Sequence, residues 1–265
     1  MSAGSQGRRK SKKEFAEPTR QRENEPKDSA AKPDIASLGE PGLTVAATSY
    51  LKAAWKLTHE VGIEWIGATR LAKALGVTSG AVASMLKTLA KSGLVDYKPY
   101  VGIRLTPIGN RLAANVVRRH RLLETFLVDI VNVPWDRVHE EAERMEHGVS
   151  DFVLDGLDAI LSHPTHDPHG DPIPRPDGTM PEGPIALLPA NDLEVGCTFR
   201  FRRVINQDAD FLRHLSACGL LIGVVAQLES RNAVAGTITL RVNDRRVVFS
   251  EMIASHFLAE AVCPS

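Results

Sequence analysis

Apolar residues recur at helical spacing through most of this chain and at alternating spacing through its C-terminal part. The change falls near residue 185, just after a proline-rich run that ends helical structure. Tyr50, Leu51, Ala54 and Trp55 mark the buried face of the first amphipathic helix. The pattern therefore predicts a mainly α N-terminal part followed by a smaller β-rich part.

A helix-turn-helix follows the first predicted helix. The sequence predicts a helix over 69–75, a tight turn at Gly76 and a second helix over 79–92. Two segments that alternate like strands, 94–97 and 102–105, come next and predict a hairpin. A hairpin placed there makes a winged helix-turn-helix, and a helix-turn-helix presents its second helix to the major groove of DNA.

The C-terminal part contains several short strands separated by turn residues. Strands of this length and spacing predict a small β-barrel. The segment over 210–223 interrupts them and predicts a short helix.

Helical spacing also gathers metal-binding residue types on one face of a later helix. His139, Glu143 and His147 follow one another at four-residue intervals, and Glu146 precedes the last of them. No Lys or Arg lies on this stripe to balance the acids. Nitrogen and oxygen ligands together suit a divalent ion of intermediate hardness.

A second pair with the same spacing, His120 and Glu124, lies on the preceding helix. Two such stripes on successive helices can share a metal, whereas a single pair is common on any solvated helix face. A zinc protease would need a second His four residues after His139, and Glu143 stands there instead. A metal-dependent hydrolase of another kind stays open, although no candidate nucleophile adjoins a His.

The composition places further limits on function. Lys plus Arg and Asp plus Glu both total 32, so any basic surface for DNA must be local. No apolar run reaches the roughly 20 residues that cross a bilayer, and the N-terminus lacks a secretory signal pattern. Cys197, Cys218 and Cys263 are widely separated and odd in number, as in a cytoplasmic protein with reduced thiols.

An ordered set of motifs carries a family resemblance. After the helix-turn-helix and its wing come LTPIG, RRHRLLETFL, VHEEAERMEH and HPTHDPHGDPIP. In this order they resemble the diphtheria toxin repressor and manganese transport regulator family over about 48–174. The β-rich part is similar to the SH3-like, FeoA-like domain of longer members. The resemblance implies a cytoplasmic homodimer, not an enzyme, that binds a double-stranded DNA operator and represses metal-uptake genes when activated by Mn²⁺ or Fe²⁺.

The resemblance also implies a division of the chain into domains. We expect a winged helix-turn-helix DNA-binding domain over 44–110, a helical metal-binding and dimerisation domain over 111–174, a linker over 175–184 and an SH3-like domain over 185–262. Composition rather than resemblance predicts a disordered tail over 1–43, which is rich in Lys, Arg, Glu, Ser and Pro and almost free of large apolar residues.

Carried over by position, the family's two metal sites fall on the two stripes. The ancillary site would use His120, Glu124 and His139, and the primary site Glu143, Glu146 and His147. Glu143 stands at the position where iron-responsive members of the family have Cys. Manganese-responsive members have Glu there, as this chain does. The possible additional ligands are Ser49, Gln207 and Asp210.

The first helix departs from the family pattern. Ser49 stands where the family draws a further ligand, usually Asp or Met, and Lys52 stands where manganese regulators have an acid. A regulator of the same fold with altered or lost metal control is therefore an open alternative. We interpret His163, His166 and His169 as part of a Pro- and His-rich surface loop.

The DNA-binding residues follow from the motif. The second helix of a helix-turn-helix turns its N-terminal residues toward the bases, and nearby basic residues contact phosphates. The expected set is Thr78, Ser79, Gly80, Ala81, Ser84, Lys87, Lys91, Lys98 and Arg104.

Overall fold

The computed structural model describes residues 43–181 and 187–262. Of the predicted disordered tail, 1–42 lies outside these residues, as do Cys263 and the 182–184 part of the predicted linker.

The predicted winged helix-turn-helix is present. Its helices are α1 (Val45–His59), α2 (Ala68–Leu75) and α3 (Ser79–Lys91), and its wing consists of β1 (Val95–Lys98) and β2 (Gly102–Leu105), paired antiparallel. The Thr44 and Thr78 hydroxyls cap α1 and α3 by accepting backbone N–H bonds. Gly76 ends α2 in the left-handed conformation that such a turn requires, with φ of 65°. A core that includes the fully buried Trp55 holds this unit together.

Three further helices continue the helical part. They are α4 (Pro107–Asp129), α5 (Val138–Met145) and α6 (Asp151–Ile160). Thr106 caps α4 with its hydroxyl, and a proline occupies the first turn, where its missing N–H costs nothing. The long α4 packs against α1, α5 and α6 and so forms the centre of this part.

The C-terminal part is an antiparallel sheet with two helices. In chain order it comprises β3 (Leu188–Pro189), β4 (Thr198–Val204), α7 (Ala209–Ala217), β5 (Val225–Asn232), β6 (Thr237–Val242), β7 (Arg245–Ser250), α8 (Glu251–Ala254) and β8 (Phe257–Ala261). The strand order in the sheet is β3-β8-β4-β5-β6-β7. Within the described residues the two edge strands, β3 and β7, do not pair with each other, so the predicted barrel is seen only as a six-stranded sheet. The sequence pattern gave no sign of β8, which pairs with β4 after a one-turn helix.

The C-terminal sheet is joined to the helical part by specific contacts. The Val204 N–H donates to the His169 carbonyl (2.9 Å), and the Trp135 indole N–H donates to the Ser216 hydroxyl (2.7 Å). Arg213 forms an ion pair with Asp136 at 3.0 Å. These bonds fix β4 and α7 against the loop that follows α6 and the segment that precedes α5.

No helix in the described part of the chain combines the length and the apolar character needed to span a membrane.

Candidate metal centre and DNA interface

The His/Glu stripes of α4 and α5 face one another in the structure. His120 and Glu124 lie on the inward face of α4 and are each only 2% exposed. Glu124 Oε1 lies 3.0 Å from His120 Nε2 and 3.1 Å from His139 Nδ1, and the two ring nitrogens are 3.0 Å apart. The three predicted ancillary residues therefore converge, with Glu124 between the two imidazoles.

Electrostatics ties this triad together. Burial opposes a charge on Glu124, but His120 and His139 beside it hold the pKa of its carboxyl well below the usual range. Burial also opposes a proton on His120, and Glu124 and Glu146 overcome it, so the pKa of His120 is raised. His120 Nε2 lies 3.0 Å from Glu124 Oε1 and Nδ1 lies 2.7 Å from Glu146 Oε2, so a ring that carries a proton on either nitrogen donates it to a carboxylate. A metal that binds His120 must release this proton.

The predicted primary site contains a cation that belongs to the chain itself. The Lys52 ammonium, from α1, donates to Glu143 Oε2 at 2.6 Å and to Glu146 Oε2 at 2.9 Å, and lies 3.0 Å from His120 Nδ1. His147 lies past the end of α5, with Nε2 3.5 Å from the other Glu146 oxygen. Glu143, Glu146 and His120 therefore do not fit a divalent ion while Lys52 is among them.

A further cluster lies on the other side of Glu124. Glu124, Asp167 and His169 each offer a ligand atom, and these atoms all lie within 4.8 Å of one another with all three residues buried. The loop after α6 supplies Asp167 and His169. The backbone N–H groups of His169 and Asp171 both donate to Asp167 Oδ1 and stabilise the conformation of this loop. The prediction that His169 belongs to a surface loop is wrong, because its side chain is completely buried. His163 and His166 are exposed, as predicted.

His169 has the tautomer of a metal ligand. Its Nε2 faces the Trp135 carbonyl at 2.9 Å, so that nitrogen carries the hydrogen and donates it. The other nitrogen, Nδ1, is buried and has no hydrogen-bond partner among the described residues. Burial lowers the pKa of His169 and keeps the ring neutral. A lone pair in this position is costly unless it meets a donor or a metal.

Carboxylates are crowded around the same cluster, although Arg121 lies 3.5 Å from Asp167. Burial, Asp171 and Glu124 raise the pKa of Asp167 well above its usual range, because like charges are crowded together away from water. A divalent ion would relieve that repulsion. The residues present, one neutral imidazole and two carboxylates, suit Mn²⁺ or Fe²⁺. His120, His139 and Glu143 also offer ligand atoms within 4.8 Å of one another, but the Lys52 ammonium contacts Glu143 and lies 3.0 Å from His120.

The possible additional ligands lie apart from these atoms. The Ser49 hydroxyl donates to the Val45 carbonyl of its own helix at 3.0 Å. Asp210 is exposed and paired with Arg213. Gln207 comes nearer, donating to Asp171 at 2.9 Å, and so contacts the loop that carries Asp167 and His169.

Sequence reasoning missed Asp167 and His169 as a pair of candidate ligands. The signal was present in HPTHDPHGDPIP, where prolines restrict the backbone around an Asp and a His two residues apart. Composition alone does not say which imidazole of such a segment points inward.

The expected DNA-binding residues lie on an exposed face of α3 and the wing. Thr78, Ser79, Gly80, Ala81, Ser84, Lys87, Lys91, Lys98 and Arg104 are all exposed. Arg104 differs from the lysines, because Glu64 (2.9 Å) and Asp96 (3.0 Å) form ion pairs with it. Its charge is therefore less available for a phosphate than the sequence predicts.

Comparison with known proteins covers both parts of the molecule. Residues 42–103 match the model for the iron dependent repressor N-terminal DNA binding domain, 106–175 the iron dependent repressor metal binding and dimerisation domain, and 188–260 the FeoA domain. The diphtheria toxin repressor of Corynebacterium efficiens is 34% identical over 185 residues, which are 66% of this chain and 78% of that protein. The chain belongs to the diphtheria toxin repressor family. The predicted resemblance is thus confirmed.

Other members of the diphtheria toxin repressor family are similar to this chain over a larger share of its length. The diphtheria toxin repressor of Corynebacterium diphtheriae is 30% identical over 77% of this chain and 92% of its own length. A solved manganese-dependent transcriptional repressor in complex with manganese is 33% identical, with a TM-score of 0.72 over 82% of this chain and all of that chain. These relatives are repressors and not enzymes, so the hydrolase alternative is wrong.

Proposed function

We propose that this chain is a metal-dependent DNA-binding repressor that Mn²⁺ or Fe²⁺ activates, and that it represses metal-uptake genes as a homodimer in the cytoplasm. The observation that carries the metal dependence is the buried, unpartnered His169 Nδ1 beside Glu124 and Asp167. The matches to a DNA-binding domain and to a metal-binding and dimerisation domain support the remaining elements.

The proposed ligand set is built around Glu124. Glu124, Asp167 and His169 would hold the ion, and His120 and His139 contact Glu124 from the other side. Bound there, the metal would add positive charge between two buried carboxylates, Glu124 and Asp167. The predicted primary site, formed by Glu143, Glu146 and His147, is left out of this ligand set, because the Lys52 ammonium contacts both carboxylates.

The proposed switch follows from the elements that these residues join. Glu124 belongs to α4, whereas Asp167 and His169 belong to the loop on which β4 is hydrogen-bonded. Holding these elements together restricts the DNA-binding units of a dimer to one separation, matched to two half-sites roughly one helical turn apart. Metal activates only if it binds this arrangement more tightly than others.

The domain division supports this assignment of roles. We propose the winged helix-turn-helix over 44–110, the metal-binding and dimerisation domain over 111–174, the linker over 175–184 and the SH3-like domain over 185–262. For the last, β-bulges between Phe201 and Arg203 and between Leu228 and Ser230 bend the sheet around one core, which supports a barrel-like form.

Proposed DNA contacts divide by chemistry. Ser79, Gly80, Ala81 and Ser84 at the start of α3 would meet base edges through hydroxyl bonds and small apolar contacts, and Thr78 would approach beside them. Lys87, Lys91 and Lys98 would contact phosphates.

The test is retention of sheared genomic DNA by the purified chain, in chelator and in separate Mn²⁺, Fe²⁺ and Zn²⁺ buffers at fixed salt. We expect particular fragments to be retained only with Mn²⁺ or Fe²⁺. The variant His169→Ala should lose this metal dependence, whereas His163→Ala should keep it, because His163 is exposed and pairs with Asp158, outside the proposed cluster. Equal metal responses in His169→Ala and the parent chain would contradict the proposed site.

A second candidate function is a regulator of the same fold that has lost metal control. The buried Lys52 ammonium favours it, since a permanent cation already balances Glu143 and Glu146. Retention of the same specific fragments in chelator and in every metal buffer would support this alternative over the first.

A further inference from the structure

Lys52 joins three helices at the predicted primary metal site. It belongs to α1 and is 5% exposed, while His120 belongs to α4 and Glu143 to α5, with Glu146 at the C-terminal end of α5. The Lys52 ammonium is thus held by groups distant in sequence rather than placed by its own helix.

The geometry around the Lys52 nitrogen is that of a bound cation. Glu143 Oε2 and Glu146 Oε2 both point at Nζ, at 2.6 and 2.9 Å, and His120 Nδ1 lies 3.0 Å away. Transition-metal bonds to such atoms are about 2.0–2.2 Å long, so an ion held by all three would overlap the ammonium. One of the two cations must be absent.

Charge leads to the same conclusion. Glu146 is 1% exposed, and a carboxylate charge so far from water is costly unless a cation meets it, as the Lys52 ammonium does at 2.9 Å. The ammonium therefore supplies the positive charge that keeps a buried carboxylate ionised. Since Lys52 is tethered, it competes with any dissolved ion at a high effective concentration.

We infer that the Lys52 ammonium takes the place of a divalent ion at the Glu143/Glu146 cluster. It excludes metal from that cluster and holds α1 against α4 and α5 without any metal. Resting on the proposed function, this leaves the Glu124/Asp167/His169 cluster as the point at which the chain responds to metal.

The deciding measurement is the number of Mn²⁺ ions bound per chain, by equilibrium dialysis and elemental analysis of the full chain. We expect Glu143→Gln to bind as many ions as the parent chain, since no ion uses Glu143 while Lys52 is present. Lys52→Glu should bind one ion more, and Lys52→Glu combined with Glu143→Gln should lose that ion again. Lys73→Glu is the matched control, because Lys73 is exposed on α2 and undergoes the same change of charge.

Two outcomes would overturn the inference. If Glu143→Gln binds one ion fewer than the parent chain, metal already uses the cluster despite Lys52. If folded Lys52→Glu, checked by circular dichroism, gains no ion, then Lys52 is not what excludes metal. The first comparison does not depend on whether a Lys52 variant folds.

The same dialysis separates this inference from the proposed function. Loss of one ion in His169→Ala but none in Glu143→Gln supports both. No ion in the parent chain but one in Lys52→Glu supports the role of Lys52 and contradicts the proposed metal response.

Thermal unfolding in chelator tests the second part of the inference, the metal-free connection between helices. We expect Lys52→Glu to melt below both the parent chain and Lys73→Glu, and Mn²⁺ to restore more of its stability than Mn²⁺ adds to the parent. An unchanged melting temperature for Lys52→Glu in chelator would show that Lys52 does not hold these helices.

Discussion

Arg121 shows how a single residue organises the charges beside the candidate metal centre. Its side chain is 1% exposed, donates to the Pro172 carbonyl at 2.7 Å and pairs with Glu60 at 2.5 Å. Asp167 and Asp171 lie 3.5 and 3.4 Å from the guanidinium. Burial opposes this charge, but Asp171, Asp167 and Glu60 raise the pKa of Arg121 and keep it ionised. The guanidinium therefore keeps the acidic loop next to α4.

Removing this guanidinium should leave Glu60 and Asp167 without the cation they contact, while Asp171 keeps Arg203. We expect Arg121→Met to lower the free energy of unfolding by about 3–5 kcal/mol, the usual cost of removing one partner from a buried ion pair. Urea unfolding measures it. The control Arg144→Met removes an arginine that is 67% exposed in its side chain and should cost about 1 kcal/mol or less. If the two variants lose similar free energies of unfolding, then the buried ion pairs of Arg121 do not stabilise the fold more than an exposed pair does.

Asp158 is a second single residue that contributes to stability, and its contribution depends on pH. Burial opposes its charge, but hydrogen bonds from His163 (2.8 Å) and Arg118 (3.0 Å) lower the pKa of its carboxyl below 3.8. The contribution of the Asp158 carboxylate to stability is therefore fully present above pH 3.8. It is lost as the pH falls through the pKa of Asp158 in the folded state. We expect Asp158→Asn to be less stable than the parent by about 1 kcal/mol at neutral pH. In urea unfolding this difference should shrink toward the acid limit of folding, and a constant difference would contradict it.

At the scale of elements, the contact between the loop after α6 and β4 depends on one glycine. Gly170 has φ of 84°, and a Cβ there would lie 1.9 Å from the Arg202 carbonyl oxygen. The neighbouring His169 carbonyl accepts the Val204 N–H at 2.9 Å. Only a residue without a side chain allows the two backbones to approach so closely.

A methyl group at Gly170 should push the loop and β4 apart. We expect Gly170→Ala to expose the Val204 amide to faster hydrogen exchange and to lower the melting temperature by several degrees, about 4 °C or more. Gly80→Ala is the control, since a Cβ at that helical position meets nothing within 4 Å and alanine favours the helix. Unchanged exchange at Val204 in Gly170→Ala would mean that the loop adapts without releasing β4.

For the whole molecule, an apolar face of α6 indicates where two copies meet. Phe152 is 89% exposed, and Val153 and Ile160 are 48% and 65% exposed on the same helix. Large apolar side chains gathered on an exposed face mark an interaction surface. Because this helix belongs to the matched dimerisation domain, the face supports the proposed homodimer.

A charge on this face should therefore weaken the dimer. We expect Phe152→Glu to shift sedimentation toward the monomer and to reduce retention of specific DNA at least tenfold, since a dimer binds both half-sites together. Val234→Glu is the matched control, because Val234 is fully exposed in the turn between β5 and β6. If Phe152→Glu sediments as the parent chain does, the dimer uses another surface.

The sequence by itself determined the features that depend on residues close together along the chain. The helix-turn-helix follows from apolar spacing and Gly76, and the start of α4 from Thr106 and its proline. His120 and Glu124 share a face because four residues make about one helical turn. Local backbone geometry is sufficient for each of these inferences.

Only the tertiary structure decided how far each charged residue is buried and which residue it meets. Lys52 meets His120 and Glu143 across 68 and 91 residues of chain, and helical spacing gives a residue's face but not the partner opposite it. In the sequence, His169 cannot be distinguished from His166, which is exposed. In the structure, His169 is buried where the loop packs against β4. Because burial and opposing charge set the chemistry of these groups, the fold determines which cluster suits a metal and which already contains a cation.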